Sequence, residues 1–400
     1  MKRAVAVAIL AALAPLGAFA QTTEQKIDDL QKELDRLKRE LSRPAAPAAQ
    51  APDTTLFGYG EFNYNRYDDP ERTSRADLRR FVIGLAHSFN ERLSFMSELE
   101  LEHAVVSQDD QGEIEVEQAY VNYQKSEVVN VKGGLFLIPL GILNETHEPP
   151  TYYGVERNEV ETRIIPTTWR ELGAGVHGLL HGELRYDVGI TTGFDAGKLD
   201  DPAFGVATAH QEGQVANAHD LSVYGALNYT RPGLLVGGGL YTGNTGQNGQ
   251  TNPLLRGVAA RLTLWDMHAR YSAHGFDLQA LYAAGTLGDA DRINAAILAD
   301  APAPFAAPKS LRGWYVQAAY HLYSENNLDL APFARVERFD IRQQEDPANG
   351  LFQDPKNLER VVTAGFNLNV DPQVVIKSDV QRYRADPSRN RFDVGLGYMF

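Results

Sequence analysis

Residues Arg391–Phe400 read "RFDVGLGYMF". Phe392, Val394, Leu396, Tyr398 and Phe400 fall on one side of an extended chain, and Arg391, Asp393, Gly395, Gly397 and Met399 on the other. Successive side chains of a strand point to opposite faces, so this is a strand with one apolar and one polar face. The same contrast sets Leu184, Tyr186, Val188 and Ile190 against Arg185, Asp187, Gly189 and Thr191. It also sets Leu93, Phe95, Leu99 and Leu101 against Ser94, Glu98, Glu100 and Glu102. Sixteen such segments lie near 55–66, 76–89, 92–105, 113–125, 127–137, 171–180, 183–194, 219–230, 234–243, 258–272, 275–286, 312–323, 327–340, 358–370, 373–384 and 390–400. None of them carries a sustained helical period, and one apolar face per strand is the antiparallel pattern.

The connections sort by length. Tight turns fall at Asn90-Glu91, Ser126, His181-Gly182, Arg231-Pro232-Gly233, His274-Gly275, Ser324 to Asn326 and Asp371-Pro372. Longer polar loops, such as 195–218, 244–257, 287–311 and 341–357, alternate with them. All turns then lie at one end of the strands and all loops at the other. A soluble sandwich has no reason to sort loops this way, whereas an outer-membrane barrel has short periplasmic turns, long outward loops and an even strand number. Strands of this length suit a tilted bilayer crossing, and closure removes the sheet edges that lipid cannot satisfy. The expected fold is an all-β, 16-stranded antiparallel transmembrane barrel over residues 54–400.

Bulk composition looks soluble, with charged residues at 22%, a net charge of −14 and a mean hydropathy of −0.33. Only the outward half of each strand must be apolar, so the two readings agree. The chain opens on a basic pair, Lys2 and Arg3, followed by an apolar run from Ala4 to Leu13 and the small-x-small triplet Ala18-Phe19-Ala20. That is a secretory signal peptide over 1–20, expected to be cleaved after Ala20. Loss of Lys2 and Arg3 takes the formal charge from −14 to −16. There are no cysteines, so an exported chain must rely on packing or a closed hydrogen-bond network.

In residues 21–43, Ile27, Leu30, Leu34, Leu37 and Leu41 are spaced 3, 4, 3, 4, a coiled-coil seam. So narrow a stripe is marginal for a lone helix and favours association of several copies over a helix lying on the barrel. The Pro/Ala stretch 44–53 is a semi-rigid linker.

Sixteen strands leave an aqueous channel. The third long loop, about 138–172, has both charge signs and a length that points to function. It is expected to fold inward as the constriction rather than cover the mouth. The segments "RADLRRFVIGLAHSFNERLSFMSELELEHA", "GLFLIPLGILNETHEPPTYYGVERNEVETRIIPTTWRELGAGVHG" and "RFDVGLGYMF" resemble the outer-membrane porins of the phosphate-selective O/P type, over nearly all of the chain after the linker. The resemblance implies a trimeric porin of the Gram-negative outer membrane, with an Arg- and Lys-lined pore for small anions, chiefly phosphate or polyphosphate. It also implies contact with outer-membrane lipid. A terminal aromatic such as Phe400 resembles the signal read by the barrel-assembly machinery.

Face assignment puts Arg80, Lys132, Arg185, Arg335 and Lys377 on polar strand faces, and Arg157, Arg163 and Arg170 in the inner loop. Glu98, Glu100 and Glu102 form an inward acidic row, with Glu61, Asp187, Glu337, Asp379 and Asp393 inward too. The lumen therefore reads as mixed, without the basic ladder an anion selector uses. The acidic row is expected to pair with arginines across the lumen rather than hold a divalent cation, since no ligand-binding loop or ligand cluster accompanies it. His87, His103, His147 and His181 are scattered outside any catalytic motif. No cofactor is implied, and so acidic a chain does not suit nucleic acid. A tether running to the cell wall through the coiled coil is the structural alternative. A barrel enzyme would instead show a serine or aspartate hydrogen-bonded to a histidine at the rim.

Overall fold

Period-two alternation builds sixteen long strands in a computed structural model that describes residues 54–300 and 305–400. The expected signal peptide, coiled-coil seam and linker, residues 1–53, lie outside the described residues. In chain order the strands are β1 (Thr54–Tyr67), β2 (Arg75–Ser88), β3 (Leu93–Glu102), β4 (Ile114–Gln124), β5 (Asn130–Leu137), β6 (Arg170–Leu180), β7 (Leu184–Thr192) and β8 (Leu221–Arg231). They continue as β9 (Leu234–Gly243), β10 (Leu262–Ala273), β11 (Phe276–Leu287), β12 (Pro308–Tyr320), β13 (Leu328–Gln343), β14 (Leu358–Asp371), β15 (Val374–Tyr383) and β16 (Arg391–Met399). A short segment, Tyr323–Glu325, extends the pairing at the start of β13.

Every strand pairs antiparallel with its neighbours in sequence, and β1 closes on β16 from Tyr59 opposite Met399 to Tyr67 opposite Arg391. The barrel therefore has no free edge, which is the condition lipid imposes. Its polarity is the reverse of a soluble protein's. Leu56, Met267 and Val316 are 63%, 65% and 55% exposed on the outer face, while Glu117, Thr363, Lys377, Asp379 and Asp393 are buried on the inner one. Contiguous apolar surface of this kind faces hydrocarbon.

Besides shifts of a few residues at strand ends, two features differ from the sequence reading. Arg170 opens β6 and pairs with Leu137 of β5. The inner loop thus ends at residue 169 rather than 172, and Arg170 belongs to the wall. The loop over 287–311 is not wholly irregular. It contains helix α2 (Ala290–Asp300), whose Ile293, Ala296 and Ile297 are buried. The i, i+3, i+4 spacing of those three residues is a helical signal, short enough to be hidden between two strands.

The inner surface is not uniformly wet. Leu262, Leu264, Leu281, Leu311, Tyr315 and Phe339 point inward and pack with Ile138, Leu140, Ile164, Ile165 and Trp169 of the inner loop, and with Ile293 and Ile297 of α2. Inserted loops give the β10–β13 side of the lumen an apolar lining that strand alternation alone does not foretell.

Candidate functional site

The loop between β5 and β6 touches strands around almost the whole circumference, which is possible only from inside the barrel. Leu140 rests on Gly239 of β9, where an added Cβ would come within 3.0 Å of it. Gly141 N–H donates to Asp266 of β10 at 3.1 Å. Glu145 pairs with Arg185 of β7 at 2.6 Å, and His147 meets Tyr59 of β1 at 2.8 Å. Val155 N–H donates to Asp379 of β15 at 2.7 Å, and Glu159 N–H to Glu337 of β13 at 2.7 Å. Inward glycines make room for this traverse. A Cβ on Gly397 would lie 2.3 Å from Pro149, and one on Gly313 about 3.0 Å from Ile164; the first distance is inside van der Waals contact.

One carboxylate organises the loop. Glu161 of helix α1 (Val160–Arg163) is buried. Its Oε1 accepts from the N–H groups of Ile142 and Leu143 at 2.5 and 2.7 Å. Its Oε2 accepts from Asn158 and from Tyr315 of β12, both at 2.9 Å. The two limbs of the loop are thereby joined to each other and to the wall.

Most of the charges picked out from sequence are paired. Arg80 contacts Glu61, Glu100 and Glu102 at 2.9, 3.4 and 3.7 Å. Glu100 and Glu102 of the acidic row thus pair with the adjacent strand β2 and not across the lumen, while Glu98 accepts from Gln118 of β4. Lys132 binds Asp187 at 2.7 Å, and Arg335 binds Glu337 at 2.9 Å. Arg170 contacts Glu115 and Glu212 at 2.5 and 3.1 Å. Arg163 pairs with Glu159. Arg157 and Lys377 form no ion pair among the described residues. Arg157 donates through Nη1 to Thr167 and Thr168, while its buried Nε and Nη2 lack a hydrogen-bond partner among the described residues. Lys377 Nζ is likewise buried and unpartnered, and stands 3.5 Å from the centre of the Tyr152 ring, a cation–π contact.

Two cavities meet at Tyr152. One, of about 790 Å³, opens toward the long loops, and the other, of about 490 Å³, toward the short turns. The outer cavity gathers seven arginines: Arg75, Arg79 and Arg80 from β2, Arg157 and Arg163 from the inner loop, and Arg389 and Arg391 at β16. Five carboxylates share it: Glu61, Asp77, Asp110, Glu156 and Glu159. Arg75 and Arg79 join Arg157 in having no ion pair among the described residues. The cavity on the turn side holds one arginine, Arg270, with Asp277 and Asp329. The outer half is thus net cationic in an acidic protein. Burial would raise the Glu156 carboxyl, but Arg391 and Arg79 outweigh it and hold the group below the usual carboxylate range.

Aspartates do bind histidines here. Asp77–His103 and Asp329–His321 are each 2.7 Å. The second ring nitrogen of His103 faces Arg79 at 3.4 Å and that of His321 faces Tyr153 at 3.3 Å, so neither pair activates a serine. His87 bonds Thr54, and His181 lies in the β6–β7 turn. His147 is the residue that sequence reasoning undervalued. It carries no motif, and Glu117 and Tyr59, which face its Nε2, lie 30 residues and more away in the chain.

A closed sixteen-strand barrel, apolar outside, with its third long loop folded within, is an outer-membrane porin, a channel rather than an enzyme. The chain belongs to the phosphate-selective porin O and P family, whose model matches residues 56–353. An uncharacterised protein of Aquifex aeolicus (strain VF5) is 30% identical over 358 residues, covering 86% of this chain and 80% of that one. Among solved structures, Salmonella typhi OmpF superposes with a TM-score of 0.58 at 14% identity, covering 87% of this chain and 97% of that one. An anion-selective porin from Comamonas acidovorans gives 0.54 at 11% identity, covering 87% and 99%. At such identities these structures bear on the fold alone.

Proposed function

We propose that this porin passes small hydrophilic solutes with a preference for anions of the phosphate class, which are gathered in the outer cavity and handed past Tyr152 toward Lys377. The observation that carries this reading is the outer cavity, where seven arginines face five carboxylates and where Arg157 keeps a buried Nε/Nη2 edge, without a partner among the described residues, that a turn of its side chain would open to a solute. That edge of a guanidinium offers two parallel N–H donors, the geometry an oxyanion accepts. The paired residues Arg80, Lys132, Arg163, Arg170, Arg185 and Arg335, with Glu98, Glu100 and Glu102, shape the field around the path rather than bind the solute. The expected result in planar bilayers is a zero-current potential in a salt gradient that shows anion preference. Arg157→Ala and Lys377→Ala should each diminish that preference, and Lys132→Ala should leave most of it because Asp187 already neutralises the amine. A cation-preferring native channel would overturn the assignment.

The assembly proposed is a homotrimer in the outer membrane after removal of residues 1–20. Its support is the heptad seam Ile27, Leu30, Leu34, Leu37 and Leu41, read as a clamp between copies. Vibrio cholerae OmpT, described in a trimer form, shares the fold with a TM-score of 0.50. Deleting residues 21–43 should weaken the trimer to heat. If the trimer keeps its native heat resistance and envelope adhesion fails instead, the seam is a tether to the cell wall.

A further inference from the structure

Five carboxylates crowd the inner wall where β1 to β4 meet the inner loop: Glu61, Glu98, Glu100, Glu102 and Glu117. Four of them, all except Glu102, are at most 5% exposed. A single guanidinium, Arg80, serves Glu61, Glu100 and Glu102. Glu98 and Glu117 form no ion pair with an arginine or lysine among the described residues. Buried carboxylates without a counter-charge are strongly unfavourable, so this wall must take up protons or a cation.

The need is local. Glu98 Oε2 accepts one bond, from Gln118 at 2.7 Å. Glu117 is fully buried, and its Oε1 has no hydrogen-bond partner among the described residues. His147 Nε2 lies 3.8 Å from it, and the Glu100 carboxyl adjoins the Glu117 carboxyl within hydrogen-bonding reach. His147 Nδ1 lies 3.0 Å from the Asn144 carbonyl oxygen. A carbonyl only accepts, so that contact places a ring proton on Nδ1, and in the neutral imidazole Nε2 keeps a lone pair. In that neutral form Tyr59 OH stands between two acceptors, 2.8 Å from His147 Nε2 and 2.8 Å from Glu117 Oε2. A hydroxyl has one hydrogen, so one of the two goes without. Orientation of an imidazole by a carbonyl on its other nitrogen is the arrangement that metal-binding histidines use.

We propose that Glu98, Glu117 and His147 bind a divalent first-row transition ion that fastens the inner loop to β3 and β4. One donor atom from each side chain lies within 4.8 Å of the others. Tetrahedral coordination by oxygen and nitrogen places ligand atoms about 3.4 Å apart, so side-chain rotations on the order of 1 Å complete the set. Two carboxylates and an imidazole suit Zn²⁺ and its first-row neighbours better than Ca²⁺, which takes oxygen alone. The fourth position falls to water or to the neighbouring Glu100, whose Oε1 also lacks a hydrogen bond. The ion would satisfy Glu117 Oε1 and His147 Nε2 together and leave the Tyr59 hydrogen to Glu117 Oε2. His147 lies ten residues before Arg157 on the same loop, so the ion would hold the loop near the proposed solute path.

The test uses the folded full-length protein without a histidine tag, titrated with Co²⁺ and followed by its visible d–d absorption. One equivalent per chain should bind, be displaced by Zn²⁺, and bind at least about ten-fold more weakly in Glu117→Gln and in His147→Gln. Heat-modifiable migration of each variant confirms that its barrel is closed. Tyr59→Phe removes the hydroxyl but no proposed ligand and should bind Co²⁺ at least as well as the native protein. The proposal is overturned if the native protein takes up no stoichiometric Co²⁺ near neutral pH, which would mean that protons on the carboxyls or on His147 neutralise the cluster. It is equally overturned if folded Glu117→Gln and His147→Gln bind as tightly as the native protein.

Discussion

Glu161→Ala is expected to release the inner loop and raise single-channel conductance several-fold while the barrel stays folded. The substitution removes the acceptor of four hydrogen bonds, two from the backbone of Ile142 and Leu143 and two from Asn158 and Tyr315. Donors left buried without partners cost about 1–3 kcal/mol each, partly relieved when water enters the lumen. A net penalty of about 3–5 kcal/mol on the docked loop is reasonable on that basis. The strands bear little of it, because the β1–β16 ladder closes without the loop. Glu161→Gln keeps one oxygen and the shape, and should give a smaller increase. Unchanged conductance in a heat-modifiable Glu161→Ala channel would show that the loop does not limit flow.

The wall of this protein was legible because two independent regularities agree on it. Alternation in segments such as "RFDVGLGYMF" set the facing of each residue. The sorting of turns and loops pointed to a membrane barrel, and the sixteen alternating segments expected are the sixteen long strands observed. The inner loop was also legible, through its length. Its attachments were not. Nothing in the spacing of Glu161 tells that it binds residues 142 and 143 as well as Tyr315, since those contacts depend on how a loop of more than thirty residues recrosses itself. The same holds for the charges. Lys132 and Lys377 look alike in sequence, each on a polar strand face, yet Asp187 neutralises the first and the second, with no ion pair among the described residues, stands over the Tyr152 ring. Helix α2 was hidden by its brevity. The His147–Glu117–Glu98 cluster was hidden because its members come from a loop and two strands, with no sequence motif to join them.

Glu159 supplies a prediction that reads the loop by pH. Its carboxylate accepts from Tyr383 at 2.7 Å and Arg389 at 2.5 Å, and it pairs with Arg163. Burial alone would raise its pKa, but the guanidinium groups of Arg163 and Arg389, with the hydrogen bonds from Arg163 and Tyr383, bring it down to about 2. An ordinary glutamate titrates near ~4.3. A group depressed by folding contributes stability that is complete above the unfolded value and is lost as pH falls toward the folded one. The contribution, on the order of 3 kcal/mol, should therefore be steady from neutral pH to about pH 5 and disappear between about pH 4 and pH 2. Glu159→Gln removes the charge but keeps an acceptor, so native and variant proteins should differ in thermal stability at pH 7 and converge at pH 2. Each pH should be measured in the same detergent, with salt fixed because part of the attraction is screened. Two curves that stay parallel down to pH 2 would mean that Glu159 holds the loop by shape and neutral hydrogen bonds. Convergence would locate the restraint in the ion pairs that join the loop to the β15–β16 corner, beside the same arginines that line the outer cavity. Acid would then loosen the constriction and weaken its anion-gathering geometry in one step, because Arg163 and Arg389 would be freed from Glu159 as the loop detaches.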